Sequence, residues 1–183
     1  MEINKIEKVI KNNEANGFPL AVAIALCLIM IFTGISEYFR LIIIAHGVRD
    51  ALQSAVISTV NDNYDEVYHG VREGYSGGYQ PFESEFEEAL DYGDIYDRLV
   101  HILGLTENED KYIKRDSEGK TECTLSDLEV KIQNLPLGGG NTDGQKFRID
   151  SSIILEVPVS FGGYGLPSMK MKIKTSAGYI PKF

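Results

Sequence analysis

The sequence predicts an α+β protein: a long N-terminal helix, a second amphipathic helix, and a three-stranded antiparallel β-meander. Three observations carry that prediction. An uncharged apolar run, FPLAVAIALCLIMIFTGIS, extends from Phe18 to Ser36. An apolar stripe at helical steps follows it. After Cys123 the period switches from about 3.6 to 2, between glycine-rich turns.

The N-terminal segment comes first. The apolar run is long enough to cross a hydrocarbon core of roughly 30 Å as a helix. It exceeds the apolar region of about 7–15 residues usual in a secretory signal, and no A-x-A-like site follows it. A retained anchor is expected, with residues 1–17 as a cytoplasmic tail or leader and residues 18–45 as the transmembrane helix. Pro19 suits a first helical turn. Lys5, Lys8 and Lys11 precede the run, and Arg40 and Arg49 follow it. This bias places the N-terminus inside and residues 46–183 outside the cytoplasm, as a single-pass protein of the cell membrane.

Charge and cysteine usage agree with that plan. The net charge is −9 over 183 residues. The tail is balanced, with Glu2, Glu7 and Glu14 against its lysines, so the acidity lies beyond the anchor. An acidic outer part argues against nucleic acid as a partner. Cys27 sits in the apolar run and Cys123 far from it, so no internal disulfide framework is implied. Cys27 reads as a small apolar packer. Cys123 reads as a free thiol or an intermolecular partner.

Beyond the anchor, Val48, Leu52, Val56, Val60, Tyr64, Val67 and Val71 step by four and three along one helix face. No proline follows Pro19 before Gly70. One helix of about fifty residues is expected, roughly 75–80 Å at 1.5 Å per residue, continuing from the membrane as a stalk. GYSGGYQP breaks it. Pro81 then opens the second helix, with Phe82, Phe86, Leu90, Tyr96, Leu99 and Leu103 on one face and Glu83, Glu85, Glu87 and Glu88 crowding its first turns. Gly104 caps it. The charged stretch TENEDKYIKRDSEGKTE reads as a solvated, partly extended loop.

The meander follows. Leu128, Val130 and Ile132 make the first strand, and Phe147 to Phe161 a long second one. Pro158 marks an edge or a bulge there. Met169, Met171 and Ile173 alternate with Lys170, Lys172 and Lys174 in the third. The apolar face should pack on the helices and the other face should be wet. The lysines on that wet face are either solvated or aimed at an acidic neighbouring subunit.

Catalytic signals are weak. GYSGG (Gly74 to Gly78) matches G-x-S-x-G in letters, but that elbow needs a strand before it, and here a helix precedes. His46, His69 and His101 lack metal-ligand spacing. Asn61, Asn63 and Asp65 resemble the start of a calcium loop, but Glu66 stands where glycine is required. The expectation is a protein that is not an enzyme, with no cofactor, no metal and no small-molecule substrate.

The positions expected to carry assembly are Ala21, Ala25, Gly34, Glu37 and Arg40. Small residues allow close approach of membrane helices. Glu37 and Arg40, at i and i+3, mark the membrane exit. They can pair with each other or meet a partner on a neighbouring helix.

The stretch AVAIALCLIMIFTGISEYFRLIIIAHGVRDALQSAV resembles the TadE/TadG-like proteins, minor pilin-like components of tight-adherence pilus systems. The matches are Ala21-Val22, Ala25-Leu26, Gly34-Ile35, Glu37, Arg40 and Ala51 through Ala55, within residues 17–60. The early glutamate of that family falls on Ala23 or near Val22. Gly17-Phe18 resembles a prepilin peptidase cleavage point, although NEANG has no basic residue beside its glycine. The resemblance implies a pilin-like or pseudopilin structural component of a Tad-type pilus or secretion apparatus. Its partners would be membrane lipid and other pilin-like subunits, assembly proteins or itself, and it could sit in a surface filament. The alternative is a single-pass, membrane-anchored extracytoplasmic binding or sensor module.

Overall fold

A computed structural model describes residues 18–63, 78–83, 85–88, 90–91, 93–134 and 147–178. Helix α1 runs Phe18–Asp62, 45 residues without a break. At 1.5 Å per residue it is about 68 Å long. It is long and apolar enough to cross a membrane. Its two halves differ. Up to Thr33 every residue is exposed, while Ile44, Val48, Ala51, Leu52, Ala55, Val56 and Thr59 are buried. The expected stripe is therefore core at Val48, Leu52 and Val56 and half-buried at Val60. Tyr64, Val67, Val71 and the expected end of the helix near Gly70 lie outside the described residues.

The second helix is shorter than its sequence suggests. Strands β1 (Tyr79–Phe82) and β2 (Glu85–Glu88) form a separate antiparallel pair. Only Ile95–Leu103 is helical, as α2. The correction has a physical cause. Phe82, Glu83, Glu85, Phe86 and Glu87 are all exposed, so no buried face holds them in a helix, and Glu83 turns the chain at φ 48. The true start signal is Asp94, whose carboxylate accepts the Asp97 amide at 2.9 Å. Gly104 does cap the C-terminus, at φ 65 and ψ 47. That left-handed conformation is open to glycine without a Cβ penalty.

The meander has five strands rather than three: β3 (Thr106–Asn108), β4 (Lys111–Arg115), β5 (Thr121–Gln133), β6 (Arg148–Phe161) and β7 (Tyr164–Gly178). They lie side by side in chain order, all antiparallel. The charged stretch expected to be a loop supplies β3, β4 and the turn into β5. Its strands are exposed or half-buried, so the alternation that marks a half-covered sheet is faint there. A β-bulge lies at Pro158, between Val157 and Val159. Another lies between Ser126 and Glu129 on β5.

The apolar face of the sheet meets both helices. Cys123 and Leu125 of β5, and Ile149, Ile153, Leu155 and Val157 of β6, form one core with Val48, Leu52 and Val56 of α1 and Leu99 of α2. Each such side chain contributes about 1.5–3 kcal/mol on burial. Tyr96 stacks on Tyr112, centroids 4.3 Å apart, and its hydroxyl accepts the Leu128 amide at 3.0 Å, beside the β5 bulge. On the outer face the lysines meet acids of their own sheet. Lys170 pairs with Glu156 at 3.2 Å and Lys172 with Glu129 at 2.9 Å. Lys172 and the Ser152 hydroxyl beside it hold the Glu129 carboxyl below its ordinary value.

Candidate functional site

The centre of interest is the place where α1 leaves its bare apolar half and first touches the sheet. Glu37 and Arg40 stand there, one turn apart. They bind each other through both ends of the guanidinium, with Arg40 Nε to Glu37 Oε2 at 2.9 Å and Nη2 to Oε1 at 2.7 Å. The pair also grips β6. Arg40 Nη2 donates to the Pro158 carbonyl at 2.5 Å, and the Ser160 amide donates to Glu37 Oε1 at 3.0 Å. The β6 bulge lies at this point, between Val157 and Val159. A forked, charge-assisted pair is stronger and more directional than a neutral hydrogen bond. The charges expected to mark the membrane exit thus clamp the strand to the helix.

Gly34, one turn before Glu37, faces the same strand. A Cβ placed on it would stand 3.5 Å from Phe161 Cε2, in ordinary contact. An alanine would therefore fit there, and the end of β6 lies against the helix without needing glycine. Ala21 and Ala25 lie in the exposed half of α1. Phe18 is the first described residue of α1 and is exposed. Gly17, the other half of the expected cleavage point, lies outside the described residues.

The opposite end of the buried helix is tied differently. The Asn63 side chain donates to Thr59 O and Asp91 O and accepts the Asp91 amide, each at 2.8 Å. Asn63 thus serves as a structural strut, while Asp65 and Glu66 of the calcium-like stretch lie outside the described residues. Arg98 of α2 reaches Ser58 and Asp62 of α1. These ties hold the end of α1 to α2 and the loop before it, while the clamp at Glu37 and Arg40 holds α1 to the sheet.

Two hollows adjoin the helix. One, of about 150 Å³, lies among Ile43, Gly47, Leu103, Lys114 and Cys123. The other is a groove of about 580 Å³ where Arg49, Lys131, Arg148, Lys172 and Lys174 meet Glu129 and Asp150. It is cationic in an acidic chain, and the buried Ser151 hydroxyl on its wall has no hydrogen-bond partner among the described residues. Sequence reasoning did not find this groove, because its residues come from α1 and three strands. The alternating lysines of β7 were its one visible sign.

No group of three or more metal-ligating side chains gathers among the described residues. His101 stands 3.6 Å from Asp97 on an exposed helix face. Of the GYSGG stretch only Gly78 is described. Cys123 is fully buried, and burial pushes its thiol up to about 11. No family model, no curated protein and no solved structure matches this chain.

Proposed function

We propose that the chain is a membrane-anchored, pilin-like structural component of a Tad-type pilus or secretion apparatus. In this reading α1 is the anchor, the N-terminus is cytoplasmic, and the α+β head stands outside. The subunit packs against others of its kind through Ala21 and Ala25 and presents the head for further contacts. The observation that carries the reading is α1 itself: one unbroken helix, bare and apolar in its first half, and the spine of the head in its second. A bare apolar helix fixed rigidly to a head can pack laterally with copies of itself and pass its position on to the head.

The test has two parts. The protein is extracted from native membranes and weighed. Loss of residues 1–17, with Phe18 as the new N-terminus, is the expected result for a processed, filament-forming subunit. In parallel, Ala25→Cys in a Cys27→Ala background should give disulfide-linked dimers under mild oxidation. An intact N-terminus without cross-links sinks the filament reading.

A second reading, an anchored binding or sensor module, has its own observation. The cationic groove with its unpartnered Ser151 hydroxyl would suit a small anion. Under that reading the head works without self-association.

A further inference from the structure

Strands β6 and β7 are longer than the strand beside them. Pairing of β5 with β6 ends at Thr124 and Glu156, whereas β6 and β7 stay paired to Phe161 and Tyr164. The last part of the β6–β7 hairpin is therefore a two-stranded finger, closed by Gly162 and Gly163 at φ 59 and 85. From Val157 to Met169 the finger reads VPVSFGGYGLPSM, without one charged residue. A quarter of the whole chain is charged, so this gap is a local feature.

The finger points along α1 toward its bare half. Pro158 and Ser160 are held by Arg40 and Glu37, and Phe161 lies against Gly34, inside the uncharged run that ends at Ser36. Charges thus end before the tip on both elements, with those of the helix reaching further, beside Pro158 and Ser160. On the finger the last is the Glu156–Lys170 pair, and on the helix Glu37 with Arg40. Toward the tip the finger exposes Tyr164 (78%) and Leu166 (51%), and on the bare side of Glu37 the helix exposes Phe32 and Ile35.

We infer that the finger is a second membrane contact, with Phe161, Tyr164 and Leu166 seated in the headgroup and upper acyl region beside α1. This rests on the reading that α1 spans the bilayer. The finger continues the lipid-facing surface of α1, and its tip carries the amphipathic and apolar side chains that favour an interface. The depth follows from the backbone. β7 is an edge strand, and an open edge is not tolerated in the hydrocarbon centre, so the finger stops at the interface. Contact at two points, with the clamp between them, holds the head at one tilt above the membrane.

The chain has no tryptophan, so a single introduced one reports its own surroundings. The full-length protein is placed in phosphatidylcholine vesicles whose lipids carry bromine either high or deep in the acyl chains. Three variants are compared: Tyr164→Trp on the finger, Leu26→Trp in mid-helix, and Gln133→Trp. Gln133 pairs with Arg148 at the far end of β6. Tyr164→Trp should lose intensity with shallow bromine, Leu26→Trp with deep bromine, and Gln133→Trp with neither. If Leu26→Trp is quenched and Tyr164→Trp is not, the span stands and the finger contact falls. If Leu26→Trp is also unquenched, the span itself fails and takes the inference with it. Equal quenching of Tyr164→Trp and Gln133→Trp would mean that the head lies flat on the surface, which also overturns it.

Discussion

At the scale of single residues, Arg40 has the most to lose. It is the common member of the Glu37 pair and of the bond to the Pro158 carbonyl. Arg40→Ala leaves the Glu37 carboxylate half-buried with the Ser160 amide as its one remaining donor among the described residues. Hydrogen bonds to charged groups are worth about 1.5–3 kcal/mol, and partial exposure lowers this to about 1–2 kcal/mol. The Ser160 amide should then exchange its hydrogen about 5–30-fold faster, since opening of that strand end becomes cheaper by the same free energy. Unchanged exchange at Ser160 would show that the clamp does not hold the finger. Cys123 makes the opposite kind of prediction. Its thiol is buried and pushed up to about 11, so very little reactive thiolate forms near neutral pH. In a Cys27→Ala background, a maleimide should label the folded protein slowly and the denatured protein at once. Fast labelling of the folded form would place Cys123 at the surface.

At the scale of elements, α1 decides the most. Val56 is fully buried in the middle of its packed half. Val56→Pro removes a helix hydrogen bond and clashes with the preceding turn, at about 3 kcal/mol, before the loss of Val56 packing is added. Limited proteolysis should then digest the head while the apolar half of α1 survives. Normal resistance of the head would argue that the helix is not its spine. This element was also the most legible in the sequence, because steps of four and three state a helix without reference to anything distant. Pro81 followed by glutamates imitates a helix start, yet with no apolar surface to cover, the segment pairs as β1 and β2 instead. Strands β3 and β4 were hidden because LysTyrIleLysArg is at best half-covered and shows little alternation. Gly104 was legible since a cap is a local event. The clamp was only half legible: Glu37 and Arg40 announce each other three residues apart, but Pro158 and Ser160 lie 118 and 123 positions away.

At the scale of the whole molecule, the sheet grows in strict chain order, yet its last two strands pack on the first helix. The local pairings can form as the chain arrives, but the spine cannot be covered until the end of the chain is present. From Asp62 to Phe161 there are 99 residues. At a synthesis rate of about 5–20 residues per second, the apolar stripe of α1 waits about 5–20 s for β6 and its clamp. Throughout that interval Val48, Leu52 and Val56 lack the cover that β6 gives them. The bond from Arg40 to Pro158 can form only once β6 has been made. A chain cut short before β6 leaves the apolar stripe of α1 without that cover.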